Sequence, residues 1–215
     1  MPPARGCGAV LIKGKTVSLR APEPQDLERL NRWANDPSIW RNLTGWHFPY
    51  STRSTAEWIA SRQDNNQTDH VFCIEAPDVG LIGTSSLREI DWRNRRALQG
   101  MMIGDEANRG KGYAVDAQMA LLRYVFDELG FQRLHTEIIE TNERSIQFYQ
   151  KCGWTIDGRQ EDFYFREGRW HGRLILGITR QGYVDLCKRT RYWDDGKKPA
   201  ASPRAARRGK PAPRK

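Results

Sequence analysis

The strongest constraint on this chain is a six-residue loop, Arg109-Gly110-Lys111-Gly112-Tyr113-Ala114. It lies between a strand-like run from Leu98 to Ile103 and an amphipathic helix that begins near Ala114. Two glycines within four residues permit positive φ and leave no Cβ in the way, so successive backbone N–H groups can converge on an anion at the helix start. A short Gly-x-Gly segment by itself is an ordinary turn, and its surroundings are what set this one apart. Val115, Met119, Leu122, Phe126 and Leu129 follow at alternating spacings of four and three, the single apolar stripe of a helix packed on a sheet, and Gly130 is placed to stop it. Strand, glycine loop and helix in that order predict a cradle for a phosphorylated cofactor.

A further strand-like segment, Gln132 to Thr141, leads into Asn142-Glu143-Arg144-Ser145-Ile146-Gln147-Phe148-Tyr149-Gln150-Lys151-Cys152-Gly153-Trp154. Arg109-x-x-Gly112-x-Ala114, followed by Asn142, Ser145, Phe148-Tyr149, Lys151 and Gly153-Trp154, resembles the GNAT N-acetyltransferases. The branch it is most similar to contains the RimJ/RimL ribosomal-protein acetyltransferases and spermidine acetyltransferase, and the resemblance runs from about Val17 to Tyr183. It implies an α/β GNAT fold, a mixed central sheet flanked by helices and open between two central strands, with acetyl-CoA as co-substrate and no metal.

The same resemblance distributes roles. The backbone of Arg109, Gly110, Lys111, Gly112, Tyr113 and Ala114 takes the pyrophosphate, while the side chains of Arg109 and Lys111 either add charge or point into solvent. Main-chain Met102 and Ile103 flank the pantetheine amides, and Asn142 hydrogen-bonds the pantetheine or adenosine-diphosphate region. Tyr149 stands where relatives place a tyrosine whose hydroxyl approaches the CoA sulfur; the alternative is an aromatic on the buried face of its helix with Ile146 and Cys152.

Acetyl transfer to an amine needs a base for the amine and benefits from an acid for the departing thiolate. Many relatives carry a glutamate at the position of Gln99, and an amide cannot accept that proton. His135, Glu137, Glu106, Glu161 and Asp162 are the remaining candidates beside water. The segment from Pro37 to Thr55, which lines the acceptor site in relatives, contains no Asp or Glu. It offers Trp40, Arg41, Trp46 and His47 as acceptor-binding candidates, with Phe48, Tyr50 and Arg53, or else an apolar cap over the sheet. At the hairpin, where relatives often read Gly-x-Tyr-x-Asp, this chain has Gly168-Arg169-Trp170-His171-Gly172. A basic aromatic wall would repel a polyamine and suit a neutral or anionic acceptor.

The remaining elements follow from periodicity and turn chemistry. Val17 to Arg20 reads as a first strand. Leu27, Leu30 and Trp33 or Ala34 mark a helix ended by Asn35-Asp36-Pro37, and Ser54-Thr55-Ala56-Glu57 has the capping-box pattern for a helix from Thr55 to about Gln63. His70 to Ala76 and Gly80 to Ile90 read as strands about an Asp78-Val79-Gly80 turn. Asp162 to Phe165 and Leu174 to Thr179 read as a hairpin turned at Glu167-Gly168.

At 215 residues the chain accommodates one well-buried domain. That domain is expected over 17–187, after an N-terminal extension over 1–16. The formal charge of +9 resides entirely in residues 188–215, which hold 11 Lys and Arg against two Asp. This Pro/Ala/Arg-rich tail has no apolar periodicity and is expected to be disordered, free to contact nucleic acid or ribosomes through salt-sensitive attraction, or to act only as a solubilising extension. Cys7, Cys73, Cys152 and Cys187 form no Cys-x-x-Cys pair, and no His cluster has metal-ligand spacing. Without a signal-peptide h-region or an apolar run near ~20 residues, a reduced, cytoplasmic protein with no membrane partner is expected.

The leading expectation is therefore an acetyl-CoA-dependent N-acetyltransferase acting on a primary amine of a small neutral or anionic molecule. The alternatives are a protein N-terminus as acceptor, in the manner of the ribosomal-protein enzymes, and a non-catalytic acyl-CoA-binding or nucleic-acid-associated protein on the same scaffold.

Overall fold

A computed structural model describes residues 12–45, 48–62 and 67–194. Eight strands form one sheet in the order β1-β2-β3-β4-β5-β6-β8-β7. They are β1 (Ile12–Lys13), β2 (Ser18–Arg20), β3 (His70–Ala76), β4 (Gly80–Asp91), β5 (Arg96–Ile103), β6 (Arg133–Ile139), β7 (Thr155–Arg166) and β8 (Arg169–Thr179). The helices are α1 (Leu27–Ala34), α2 (Pro37–Trp40), α3 (Thr52–Ser61), α4 (Tyr113–Arg123), α5 (Glu143–Lys151) and α6 (Arg180–Thr190).

Alternation along the strands sorts their side chains between two cores. Ile74, Ile82 and Met101 join the larger core with Leu121, Leu122 and Phe126, the last three fully buried, and with Tyr149 and Leu186 of α5 and α6. Their sequence neighbours Cys73, Leu81 and Met102 face the other way, into a smaller core with Leu30, Trp33, Ile39 and Ile59 of α1, α2 and α3.

Every strand pair is antiparallel except β5 and β6. That pair is joined only at Arg96↔Arg133, Ala97↔Leu134 and Leu98↔His135. Beyond it β5 stays paired with β4 as far as Ile103, and β6 stays paired with β8 as far as Ile139. The sheet therefore splits between its two central strands, as the family resemblance implies.

Several elements depart from expectation. α3 starts one turn before the expected Thr55, because Ser51, not Ser54, is its cap: the Ser51 Oγ accepts from the Ser54 N–H at 3.0 Å. Glu57 is then too far along to close a capping box and instead pairs with Arg53 at 2.8 Å, one turn back. β7 begins seven residues before Asp162. Its exposed, charged sequence lacks alternation because it is the outer strand of the sheet, and pairing with β8 supplies the ladder that patterning does not announce. After Arg123, α4 continues as a π-helical turn over Tyr124–Glu128, and Gly130, at φ +67°, ends it.

Folded structure also extends past both ends of 17–187. Asp116, buried in the first turn of α4, accepts from the main-chain N–H groups of Lys15, Thr16 and Val17 and from the Tyr192 hydroxyl at 2.5–2.9 Å. Trp193 donates from its indole to the Tyr183 hydroxyl and lies under the Arg123 guanidinium. One carboxylate thus ties residues 15–17 and Tyr192 to the helix that follows the glycine loop. The tail beyond residue 194 lies outside the described residues.

Candidate active site

The glycine loop takes the shape its sequence requires. Gly110 and Gly112 have φ of +77° and +86°, and a Cβ built on either would meet nothing within 4 Å, so the loop borders open space. Gly112 caps α4 with no side chain, which leaves the first N–H groups of the helix facing that space. Lys111 is exposed. Arg109 is not a solvent-facing charge: its guanidinium folds back on the carbonyls of Ile103 and Gly104, at 3.0 Å to the latter, and pins the end of β5 to the loop. Gly104 itself lies against Trp33, and any Cβ there would enter the indole. Trp33 Nε1 donates to Asp105 at 2.9 Å. Sequence reading did not single out this brace from α1.

Met102 and Ile103 are half-buried and lie on the stretch of β5 that has no β6 partner, so its edge toward β6 is open to an extended chain of amides, the Ile103 carbonyl being already approached by Arg109. The open cradle, the uncapped helix start and this free edge fit a pyrophosphate joined to a diamide arm. Tyr113 and Ala114 begin α4 and are half-buried. Asn142 caps α5, its Oδ1 accepting from the Ser145 N–H at 3.2 Å, while its Nδ2 donates to the carbonyl of Asn42 at 3.4 Å.

Tyr149 is buried beneath the point where the strands part. Phe148 and Trp154 meet its ring edge-on, with centroids 5.1 and 4.9 Å away. Its hydroxyl donates to Gln99 Oε1 at 2.7 Å. Burial pushes the phenol well above its ordinary value, against the opposing influence of Thr136 and Gln99. Gln99 and Thr136 are the first residues beyond the last β5–β6 pair, so the hydroxyl sits at the apex of the split. The side chain is thus a buried aromatic of the larger core, its hydroxyl held on Gln99 beside the end of the β5–β6 pairing.

Gln99 is itself 1% exposed and anchored on every side. Its Nε2 has three acceptors within hydrogen-bond reach, Gly100 O at 3.0 Å and Gln118 Oε1 and Ser85 Oγ at 3.2 and 3.3 Å, among which it shares its two hydrogens. Sequence reading noticed Gln99 only as a departure from glutamate, and missed Gln118 and Ser85. The available signal was a glutamine inside the run Asp116 to Leu122 of α4, which is buried throughout.

On the opposite face of the split, the carboxylates are taken. Glu137 receives Arg173 at 2.7 Å and the Tyr164 hydroxyl at 3.3 Å. Arg159 bridges Glu140 and Glu161, both at 2.8 Å, and Glu167 faces Arg41 at 3.7 Å. Glu106 and Asp162 are exposed, away from any ion pair among the described residues. His135 is the last β6 residue paired with β5, and burial lowers its pKa below the ordinary histidine value. Trp40 is half-buried at the end of α2 and Arg41 is exposed. Their segment is strapped to the hairpin by Arg166, which donates to the Leu43 carbonyl at 3.2 Å. Trp46 and His47 lie outside the described residues. Among the described residues no His, Cys, Asp and Glu side chains cluster in a way that could hold a metal, and no helix is long and apolar enough to cross a membrane.

The split sheet, the glycine loop at a helix start and the tyrosine at the apex define an acyl-CoA-dependent acyltransferase scaffold. Residues 16–155 match the family model described as acetyltransferase (GNAT) domain, and the chain belongs to that family. It is an N-acetyltransferase by that membership and by its relatives. It is 25% identical to spermidine N(1)-acetyltransferase of Vibrio cholerae over 79% of this chain and 96% of that one. A putative ribosomal N-acetyltransferase of Bacillus subtilis is 27% identical, over 77% and 92% of the two chains. Among solved structures, the Vibrio cholerae spermidine N-acetyltransferase in complex with CoA and spermine superposes with a TM-score of 0.71 at 25% identity, covering 79% of this chain and 98% of that one.

Proposed function

We propose that this N-acetyltransferase delivers the acetyl group of acetyl-CoA to the primary amine of a small neutral or anionic molecule, by direct attack of the amine on the thioester. The observation that carries this reading is the state of the acids around the acceptor side. The described part of the 37–55 segment has none, and Glu137, Glu140, Glu161 and Glu167 are all engaged by three arginines, Arg159 being shared by Glu140 and Glu161. A polycation would have to displace those arginines, whereas a neutral or anionic acceptor meets no such cost.

In the reaction the C–N bond forms as the C–S bond breaks, one amine proton leaves to a base or to water, and the departing sulfur gains a proton. Tyr149, kept neutral by burial, is the donor supported by its place at the apex. Loop residues 109–114 and the start of α4 hold the pyrophosphate, and the free edge at Met102 and Ile103 holds the pantetheine arm. Of the two base candidates on β6, Glu137 is paired with Arg173, which leaves His135 to take the amine proton.

Thiol release from acetyl-CoA, measured across polyamines, amino acids, amino sugars and short peptides, tests the proposal. Turnover is expected with a neutral or anionic amine, with kcat at least tenfold lower in Tyr149→Phe. Preference for spermidine would overturn the acceptor class, and preference for a peptide N-terminus would place the chain with the ribosomal-protein acetyltransferases.

A further inference from the structure

We infer that Gln99, clamped by Ser85, Gly100 and Gln118, is a positioning residue that aims the Tyr149 hydroxyl and holds its proton on a neutral acceptor until the thiolate needs it. The inference rests on Tyr149 being the acid, as proposed above.

The orientation of the amide is decided by its neighbours. Gly100 O can only accept, so the nitrogen of Gln99 must face it. The Ser85 hydroxyl spends its own proton on Gly100 O at 3.2 Å, which leaves a lone pair toward Gln99. Gln118 also presents its oxygen. Three acceptors surround Nε2, so Oε1 is turned to Tyr149, and the phenol must be the donor in that 2.7 Å bond. A carboxylate at this position would set oxygen against the Gly100 carbonyl, which can only accept, and would need the Ser85 hydroxyl and the Gln118 amide to turn round. As arranged, the pocket suits an amide.

An amide oxygen is also the right acceptor for a proton that must be given up. A carboxylate would hold the phenol through a charge-assisted bond about twice as strong and would compete with the departing sulfur for the proton. The amide fixes the direction of the hydroxyl, and rotation about its C–O bond releases the proton to the opening between β5 and β6. Because Gln118 is on α4, the helix that begins at the pyrophosphate loop, the clamp also joins the cofactor cradle to the acid.

The test is a double-mutant cycle on the full chain with Gln99→Met and Tyr149→Phe, reading kcat and the KM for acetyl-CoA with the preferred amine. With Tyr149 present, Gln99→Met is expected to lower kcat about tenfold and to change KM less than twofold; in the Tyr149→Phe background it should change kcat less than twofold. An equal fall in both backgrounds, or a change confined to KM, would overturn the role of Gln99 while leaving Tyr149 in place. A Tyr149→Phe variant as fast as the parent would instead remove the acid itself. Gln118→Met, which leaves Gln99 in position, keeps the question open to the same criterion should Gln99→Met fail to fold, with a twofold to fivefold fall in kcat expected only when Tyr149 is present.

Discussion

The glycine-loop side and the hairpin side of this enzyme are built from different materials. On the glycine-loop side the groups turned to open space are main chain: two glycines at positive φ, an uncapped helix start, and a strand edge left where β5 and β6 part. On the hairpin side, where the acceptor is proposed to bind, they are ion-paired side chains, Arg173 with Glu137, Arg159 with Glu140 and Glu161, and Arg41 with Glu167. A main-chain site is preserved by few residues and tolerates drift in the others. A site of paired side chains can change its preference with one substitution, so a shared cofactor half says little about the acceptor.

The sharpest way to break this contrast is at Asp116, where the main-chain side depends on one buried charge. Asp116→Ala strands the amides of residues 15–17 and the Tyr192 hydroxyl, and is expected to cost about 3–5 kcal/mol in denaturant unfolding. Burial raises the pKa of this carboxyl, but the bonds from Tyr192, Lys15 and Thr16 outweigh it and hold the value below the ordinary one. Its stabilisation is then complete above the unfolded value of about 3.9 and is lost as pH falls through the lower folded value. The difference in Tm between parent and variant should be flat from about pH 5 to 8 and shrink below about 4.

A smaller effect is expected at Gly112→Ala. The added Cβ meets no neighbour, so the cost is the positive φ alone, about 1–2 kcal/mol of stability. Because that Cβ enters the open cradle, KM for acetyl-CoA should also rise; a rise in the KM for amine alone would show that the loop is not the cofactor site. The smallest effect is expected at the exposed Arg41–Glu167 pair, where Arg41→Gln should move stability by less than about 0.5 kcal/mol. A shift in acceptor preference from that change, with acetyl-CoA kinetics unaltered, would tie the 37–45 segment to the amine.

What could be read without coordinates follows the same division. The loop, the stripe from Val115 to Leu129 and the Asn142 to Trp154 motif are local patterns, and the structure realises each as loop, α4 and α5. The length of β7 is not legible because an outer strand needs no alternation, and the start of α3 is ambiguous in the sequence because Ser51 and Ser54 offer equivalent cap chemistry three residues apart. The arginine partners of the acceptor-side glutamates were invisible for another reason: Glu137 and Arg173 meet only when β8 lies beside β6.

The sequence by itself determined the family, the split mixed sheet and the place of the glycine loop, because glycine conformations and apolar periodicity act over a few residues. Only the tertiary structure decided which charges are neutralised, that Asp116 joins residues 15–17 to Tyr192, and that Gln99 is set among three acceptors. Those outcomes depend on contacts between residues as much as a hundred positions apart, and no local preference encodes which polar group will meet which.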